Sequence, residues 1–353
     1  MAQPLIHDLS LSELEAHLAQ RGEPPFRARQ VWSHLYGHLA TDPAEMTDLP
    51  AGLVRHLASF EFHPLRAMQE WRSRDERTRK QLFELHDGAT VEAVLMDYDR
   101  RRTVCISSQA GCGMGCVFCA TGQMGLSRNL TSGEIAAQVL FFARLLAPHA
   151  QRITNVVVMG MGEPLHNYEA TLAAMDRLCD PTGFGLGARR ITISTVGLVP
   201  AIRRFAEERR QINLAVSLHA ATDTLRGQLM PINRRYPLDE LFKACGEYVH
   251  STHRRISFEW ALIAGVNDTT EQARLFAERC QGLMCHVNLI PLNPTRGYPG
   301  LPTSREAADS FRAALEARGV PCTVRVRRGI EIEAGCGQLA SQRVAAKPSA
   351  SSE

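Results

Sequence analysis

In Gly111-Cys112-Gly113-Met114-Gly115-Cys116-Val117-Phe118-Cys119, three cysteines stand at C-x3-C-x2-C spacing within a glycine-rich loop. Thiolates are soft ligands that suit iron–sulfur clusters. Three local thiolates bind three irons of a four-iron cluster and leave the fourth iron open to a small molecule. The glycines let the backbone wrap closely round an inorganic cube, because they bring no side chains. The loop therefore predicts an open-corner cluster held by Cys112, Cys116 and Cys119.

Two other uses of these cysteines are disfavoured. Structural zinc needs four ligands, usually in paired C-x2-C or C-x2-C/H-x3-H patterns, and no fourth ligand follows Cys119 at such a distance. The stretch Met1 to Ser12 is polar and lacks the apolar region of a signal peptide. Ten cysteines without that signal favour a reducing compartment, so we expect a cytoplasmic protein with free thiols.

Composition sets broad limits on the class of protein. The 353 residues are 44% hydrophobic and 22% charged, which is typical of a globular enzyme-sized chain. No run approaches 18 uncharged apolar residues, so we expect no transmembrane helix and no membrane partner. The formal net charge of +3 is compatible with RNA binding but does not argue for it.

Hydropathy patterns divide the chain into four parts. Residues 1–58 predict a small helical accessory domain, and residues 59–102 a β-rich connecting extension. Residues 103–339 alternate strand and helix through six units, which requires right-handed crossovers and a parallel sheet. This α/β pattern admits a partial (β/α)6 barrel or a doubly wound open sheet. Residues 340–353 are rich in Ala, Ser, Pro and Lys and predict a disordered tail.

Unusual polar residues follow the carboxyl ends of the predicted strands. In parallel α/β folds these ends meet at the rim where ligands bind, so motifs that are separate in sequence converge in space. The residues concerned are Gly162 and Glu163 after the second strand, Ser194 at the end of the third, Ser217, Leu218 and His219 at the end of the fourth, and Asn293 after the sixth.

Three further residues carry candidate chemistry. Cys336 lies between two glycines in Ala334-Gly335-Cys336-Gly337-Gln338-Leu339, an open backbone that fits an ordinary buried thiol poorly. Cys105 lies on the strand that leads into the cysteine loop, where a buried structural thiol is equally ordinary. Glu92 lies on an alternating strand, where the pattern alone favours a solvent-facing side chain.

Several of these stretches together resemble the RlmN/Cfr family of radical S-adenosylmethionine (SAM) RNA methyltransferases. The resemblance is carried by the C-x3-C-x2-C loop with its continuation to Leu130, by Pro24-Pro25-Phe26-Arg27-Ala28-Arg29-Gln30, and by the Gly-Cys-Gly motif at Cys336. It covers about residues 9–339. It implies a partial (β/α)6 radical SAM barrel with a small N-terminal helical domain that contacts RNA, where composition alone leaves a stabilising cap equally open.

The resemblance also implies cofactors and residue roles. The cofactors are a [4Fe-4S] cluster and SAM, used twice in each turnover, with Gly162 and Glu163 at the SAM amine. Cys336 would carry the methyl group, Cys105 would resolve the adduct as a disulfide, and Glu92 would accept a proton. The other SAM-binding positions that match the family are Ser194, Ser217, Leu218, His219 and Asn293.

The implied reaction is methylation of adenosine carbon 2 in 23S rRNA and in tRNA next to the anticodon. An electron-poor ring carbon between two nitrogens does not attack a methyl group as an amine does, so radical chemistry is needed. An external electron donor and a thiol reductant would complete the cycle, and we expect a monomer. The alternative is the C8-methylating resistance branch of the family, against which Leu165 and the N-terminal helical module both argue.

Two other classes of protein stay open on the residues alone. One is a different radical SAM enzyme, such as a glycyl-radical activase or an enzyme that makes thioethers. The other is a non-enzymatic iron–sulfur or zinc module that binds RNA. The Gly-Cys-Gly motif around Cys336 discriminates against the activases, which need no such thiol.

Overall fold

A ten-stranded sheet runs through the structure, a computed structural model that describes residues 3–340. The tail predicted over residues 340–353 lies outside these residues except for Ala340. The strands are β1 Arg66–Arg72, β2 Thr78–Glu84, β3 Thr90–Tyr98, β4 Arg101–Cys105, β5 Gln109–Cys112, β6 Gly125–Asn129, β7 Asn155–Val158, β8 Ile191–Thr195, β9 Asn213–Ser217, β10 Ile256–Leu262, β11 Cys285–Pro291 and β12 Cys322–Val324.

Helices connect the strands and form the accessory module. The α-helices are α1 Leu11–Ala19, α2 Pro25–Trp32, α3 Ala51–Leu57, α4 Ala120–Met124, α5 Ser132–Leu146, α6 Tyr168–Cys179, α7 Val199–Glu207, α8 Asp223–Leu229, α9 Leu238–Thr252, α10 Thr270–Arg279 and α11 Arg305–Glu316. None of the helices within residues 3–340 combines the length and apolar character that crossing a bilayer requires.

The sheet order decides between the two architectures that the alternating pattern allowed. The order is β1-β2-β3-β4-β7-β8-β9-β10-β11-β12, and every neighbouring pair from β4 to β12 is parallel. A doubly wound sheet reverses its strand order at a switch point. Here the parallel strands follow one another in chain order, each joined to the next through helix, so the predicted partial (β/α)6 barrel is confirmed.

The strands before the barrel extend its sheet with antiparallel pairs. β1 pairs with β2, β2 with β3, and β3 with β4, so β4 joins the extension to the parallel set. Asp87-Gly88 between two β-rich runs is a sequence typical of a hairpin turn, and in the structure it joins β2 and β3. The edge strand β1 was not predicted, because its residues are half-buried or exposed without a clean alternation.

The N-terminal helices bury their own apolar cluster. Leu14, Val31, Trp32 and Leu53 lie in this cluster, which also includes Leu140 of α5. Within this module the sequence predicts a second helix from Arg27 to Leu39. In the structure that helix is α-helical only as far as Trp32 and continues as a π-helix over Ser33–Gly37. This wider turn buries both Leu35 and Tyr36. The module is therefore fixed to the barrel through α5.

The side chains of β10 alternate between the core under the helices and the interior of the barrel. Trp260 stacks on Phe276 of α10 with ring centroids 4.9 Å apart, and also contacts Phe311 of α11 at 5.3 Å. Glu259, between Phe258 and Trp260, faces the opposite side and lines the interior pocket. The outward residues hold the helices in place, and the inward residues are free to form a site.

Candidate active site

A large pocket opens at the carboxyl ends of the parallel strands. It contains about 1000 Å³ of empty space, counting its open mouth. This is the rim at which separate polar motifs were expected to converge. The predicted residues that line it are Cys112, Cys116, Cys119, Gly162, Glu163, Ser194, Ser217, His219, Asn293 and Cys336.

The cysteine loop is held by a structure that the sequence pattern did not show. β5 and β6 pair as an antiparallel ribbon in which Cys112 lies opposite Gly125, so the loop is closed at its base. At its far side the Val117 N–H donates to the Leu229 carbonyl at 3.0 Å. Both ends of the loop are therefore fixed before any ligand binds.

The three loop thiols form one electrostatic group. Burial, followed by Glu163 and Cys119, raises the pKa of Cys112 to about 12. Burial raises the pKa of Cys116 as well, with Cys119 and Cys112 as the next causes. Within residues 3–340 no three His, Cys, Asp or Glu side chains converge as one metal ion requires. Buried neighbouring thiols that do not meet at one point fit the corners of a cluster better than a zinc ion.

Glu163 is a buried carboxylate that faces the pocket. It is 2% exposed, and its two oxygens accept the N–H groups of Leu165 at 3.0 Å and Val196 at 2.8 Å. Among the described residues it has no Lys, Arg or His ion-pair partner. Burial raises its pKa to about 7 despite these hydrogen bonds. A cationic group in the pocket would complement it, which fits the amine of SAM.

Close backbone approach explains the glycine before this carboxylate. Gly162 has φ +100, and a Cβ at this position would lie 2.6 Å from Cβ of Gln109. The side chain of Gln109 in turn accepts the Glu163 N–H at 2.8 Å. The Gly162 position therefore has room for a hydrogen atom only. The contact of this segment with Gln109 fixes the point at which Glu163 enters the pocket.

Polar groups on three strand ends face the same space. The hydroxyls of Ser194 and Ser217 lie 3.5 Å apart at the ends of β8 and β9. The Asn293 amide nitrogen donates to the carbonyl of Cys336 at 3.1 Å, whereas Oδ1 of Asn293 is buried without a hydrogen-bond partner in residues 3–340. An unsatisfied buried acceptor costs free energy, so this oxygen fits a ligand with a hydrogen-bond donor.

His219 and Leu218 have different positions at the end of β9. His219 has φ +61, its Nδ1 accepts the Ala261 N–H at 2.8 Å, and its ring meets Phe118 edge-on at 4.8 Å. Burial, with Arg226 next, lowers the pKa of His219 to about 3, so the ring is a neutral wall of the pocket. The Leu218 side chain is fully buried in the core and does not line the pocket.

Cys336 lies directly beside the cysteine loop. The Ala120 N–H donates to the carbonyl of Gly337 at 2.8 Å, and the Thr121 hydroxyl donates to that of Leu339 at 2.6 Å. The Gly335-Cys336-Gly337 motif, whose glycines suggest an open backbone, is therefore a fixed turn. Cys336 is accessible from the pocket but enclosed by its walls, and loss of water, followed by Glu259, raises the pKa of the thiol to about 11.

Cys105 lies behind the pocket wall at the end of β4. It is buried, pairs with Val94 on one side and Val157 on the other, and is a free thiol. Burial raises its pKa, with the Cys336 thiol as the next cause. Cys105 and Cys336 are both free thiols in the structure.

Glu92 is buried rather than solvent-facing, contrary to what its strand pattern favours. It is 1% exposed and forms an ion pair with Lys80, whose Nζ lies 3.3 Å from Oε1 of Glu92. It lines a second cavity, separate from the main pocket. Its side chain shares a face of the sheet with Cys105, since Val94 lies opposite Cys105 and two residues beyond Glu92.

Sequence reasoning missed one arginine that lies against the ends of the strands behind the pocket lining. Arg226 is fully buried and donates to the carbonyls of Leu218 at 3.2 Å and Val196 at 2.7 Å, and to Oδ1 of Asn233 at 2.9 Å. It thus joins the ends of β8 and β9 beneath the site. No local pattern distinguishes it from the other arginines of the chain, so no sequence signal would have found it.

Three thiols on a glycine-rich loop, at the rim of a partial parallel barrel, define a radical SAM enzyme. The sequence profile of the Radical SAM superfamily matches residues 106–277. A second profile, described as the ribosomal RNA large subunit methyltransferase N-terminal domain, matches residues 6–61. The chain belongs to the RlmN family of radical SAM RNA methyltransferases.

Close relatives support this assignment over nearly the whole chain. A probable dual-specificity RNA methyltransferase RlmN of Chloroflexus aurantiacus is 51% identical, over 97% of this chain and 94% of the relative. Dual-specificity RNA methyltransferase RlmN 1 of Myxococcus xanthus is 52% identical, over 95% and 93%. The crystal structure of a radical SAM methyltransferase from Sphaerobacter thermophilus matches with a TM-score of 0.94 and 50% identity, over 96% of this chain and 100% of that one.

The protein is therefore a SAM-dependent RNA methyltransferase whose cofactors are a [4Fe-4S] cluster and SAM. The pocket fits both groups. Its buried thiols need a metal to become thiolates. Within the described part of the chain, Glu163 has no cationic partner and Asn293 Oδ1 has no hydrogen-bond donor.

Proposed function

We propose that this enzyme methylates carbon 2 of adenosine in 23S rRNA and in tRNA next to the anticodon, with Cys336 as methyl carrier. The observation that carries the proposal is the bond from Ala120 N–H to Gly337 O, because it docks the Cys336 turn on the cysteine loop. A glycyl-radical activase needs no such thiol. The relatives' names, with their dual specificity, support both RNA classes.

We also propose the residues that hold the cofactors. Cys112, Cys116 and Cys119 would bind the cluster, and Glu163 would bind the SAM amine. Gly162 would allow close approach, whereas Leu218 would contribute only its backbone. When bound, these cofactors supply a methyl group and the one-electron chemistry that an electron-poor ring carbon requires. The remaining SAM contacts would come from Ser194, Ser217, His219 and Asn293.

Three side chains of the enzyme would share the later steps. Cys336 would lose its proton and hold the methyl carbon as a thioether. This carbon would give up one hydrogen atom to the radical chemistry that the bound cofactors supply, and it would then bond to adenine C2. Glu92 would accept the C2 proton of the adduct, and the one-electron chemistry of the bound cofactors would take up the remaining unpaired electron. The Cys105 thiolate attacks the sulfur of Cys336, the sulfur–carbon bond breaks, and the bridging carbon takes up a proton to become methyl.

This sequence leaves a disulfide between Cys105 and Cys336, which an external dithiol must reduce before the next turnover. An external donor must also supply an electron. A reducing cytoplasm provides the thiols, which is why we place the enzyme there. Both cysteines are free thiols in the structure.

We infer that the helical module, residues 1–58, contacts the RNA. Phe26 is 50% exposed, and the guanidinium of Arg27 lies 4.8 Å from its ring centroid. An exposed aromatic ring beside a cation suits stacking on a base and contact with a phosphate. The match of residues 6–61 to the methyltransferase N-terminal profile supports the same function.

The test is product analysis on anaerobically reconstituted enzyme. It is given SAM with a deuterated methyl group, a reductant, and either a 23S rRNA fragment or tRNA, and the RNA is digested and analysed by mass spectrometry. We expect labelled 2-methyladenosine from both RNAs, with deuterium lost as the methyl group passes through a methylene carbon. Labelled 8-methyladenosine would assign the chain to the C8 branch, and full retention of three deuteriums would overturn the proposal.

A further inference from the structure

A buried lysine lies beside the proposed proton acceptor. Lys80 is on β2, and its side chain is 5% exposed. Its Nζ lies 3.3 Å from Glu92 Oε1, donates to the carbonyl of Glu333 at 3.3 Å, and lies 4.6 Å from the ring centroid of Trp71. Removing an ammonium group from water costs several kcal/mol, so full burial needs partners of this kind.

The lysine and its carboxylate partner hold both ends of the segment that carries Cys336. Lys80 binds the carbonyl of Glu333 before the cysteine, and Glu92 Oε2 accepts the N–H of Ala340 after it, at 3.1 Å. The methyl-carrying turn is thus anchored to β2 and β3 by one ion pair. Removing Lys80 would release the segment at Glu333 and would leave the carboxylate that holds Ala340 without its cation.

The sheet register places the same pair next to Cys105. Lys80 lies opposite Val94 across β2 and β3, and Val94 lies opposite Cys105 across β3 and β4. The three residues form one row across the sheet, and Glu92 is the next residue along β3 on the same face. Lys80 therefore lies on the same face of the sheet as Glu92 and Cys105, the residues proposed for the two later steps.

We propose that Lys80 is a positioning residue for methyl transfer, which keeps Glu92 as a carboxylate aimed across the face and fastens the Cys336 segment at Glu333. The proposal rests on the proposed roles of Glu92 and Cys336. A carboxyl group buried without a cation holds its proton and cannot accept another. The other charged groups that line this cavity are Arg296, Glu331 and Glu333, and the Arg296 guanidinium lies 3.9 Å from the Glu333 carboxylate.

The central variant is Lys80→Met, which keeps a long apolar stem but removes the charge. The measurement is the single-turnover rate of methyl transfer against pH, starting from enzyme already methylated on Cys336. We expect the rate at pH 7 to fall about 100-fold, as for loss of a general base, and the acidic limb of the profile to move to higher pH. Lys80→Arg keeps the charge and is expected to recover the original limb.

Three controls separate this role from a purely structural one. Lys243→Met, at an exposed lysine of α9, should leave rate and profile unchanged. Lys80→Gln keeps a hydrogen-bond donor for the Glu333 carbonyl but carries no charge. It is used in place of Lys80→Met if the Lys80→Met protein does not retain its iron. Lys80→Met combined with Glu92→Gln should raise the melting temperature above that of Lys80→Met alone, since no charge is then buried unpaired.

The outcomes distinguish the two proposals. If Glu92→Gln abolishes methyl transfer while Lys80→Met and Lys80→Gln keep the wild-type rate and pH limb, the role of Lys80 is wrong and that of Glu92 stands. If Glu92→Gln keeps the wild-type rate, the proton acceptor is wrong and the role of Lys80 falls with it.

Discussion

The side-chain amide of Asn293 donates a hydrogen bond to the carbonyl of Cys336, with nitrogen and oxygen 3.1 Å apart. One residue therefore touches the proposed methyl carrier with its nitrogen, while its Oδ1 has no hydrogen-bond partner within residues 3–340. This contact joins the Cys336 turn to the part of the pocket that we propose binds SAM. Gly335 permits it, since a Cβ there would lie 2.6 Å from the Asn293 amide nitrogen.

Asn293→Leu should weaken SAM binding. The variant removes the buried acceptor that we expect the ligand to satisfy, and a hydrogen bond of this kind contributes about 1–2 kcal/mol, so the Kd for SAM should rise about tenfold. Equilibrium dialysis under anaerobic conditions measures it. Asn155 is the first residue of β7, at the end of that strand away from the pocket. Asn155→Ala is therefore the control and should bind SAM normally. An unchanged Kd for Asn293→Leu would remove this residue from the SAM site.

Glu163 should make the stability of the metal-free protein depend on pH. Its pKa is raised from 4.5 to about 7 in the folded state, so between these pH values the native protein holds a proton that the unfolded chain has lost. The free energy of unfolding should therefore fall as pH rises from about 5 to 7, by at most about 3 kcal/mol. Urea unfolding at several pH values tests this, and Glu163→Gln should flatten the dependence. A wild-type curve that rises over this range would contradict the assignment.

Gly162→Ala should damage the site through sterics alone. A methyl group at this position meets Gln109 at 2.6 Å on a backbone with φ +100, and strain with overpacking costs about 2–5 kcal/mol. We expect a lower melting temperature and loss of SAM binding. Gly246→Ala is the matched control, since its Cβ meets nothing within 4 Å and it lies inside α9, where alanine is favoured. Equal stability of the two variants would show that the loop adapts.

Variants of the two proposed catalytic cysteines should stop the reaction at different steps. Cys336→Ala should keep its iron but transfer no methyl group, because the carrier is missing. Cys105→Ala should stop one step later and accumulate a covalent protein–RNA adduct, seen as a band shift that survives denaturation. Cys179→Ala, at a half-buried thiol of α6, is the control and should turn over normally. Free turnover by Cys105→Ala would show that another group resolves the adduct.

Phe26 and Arg27 should affect RNA binding without affecting the chemistry. Phe26→Ala removes a ring whose stacking on a base contributes about 1–3 kcal/mol of binding free energy. KM for RNA should therefore rise about fivefold or more while kcat stays constant. Arg27→Gln should lower the slope of log Kd against log salt by about one, as expected for one phosphate contact. Arg318→Gln, beyond the end of α11, serves as the control. A fall in kcat with unchanged KM would instead indicate that the module supports the barrel.

Local sequence predicted the cluster loop and the alternation of strands and helices, because both depend on short-range spacing. The choice between a barrel and a doubly wound sheet depended on the strand order in the structure. The interval between Cys112, Cys116 and Cys119 sets which irons one loop can reach, and the strand–helix rhythm sets crossover handedness wherever it occurs. The same rhythm put Glu163 and Asn293 at strand ends, and hence at one rim. The ribbon of β5 and β6 was missed because both strands are short and rich in glycine or polar residues.

By itself, the sequence determined the kind of ligands, the alternation of strand and helix and the rim at which polar groups meet, since spacing and periodicity act over a few residues. The order of the strands in the sheet was decided by the structure. Only the tertiary structure decided that Glu92 is buried against Lys80, that Arg226 lies beneath the pocket, and that Cys336 is fixed beside Cys119. These contacts join residues far apart in the chain. Their formation depends on which surfaces pack together and exclude water, and no local pattern records that.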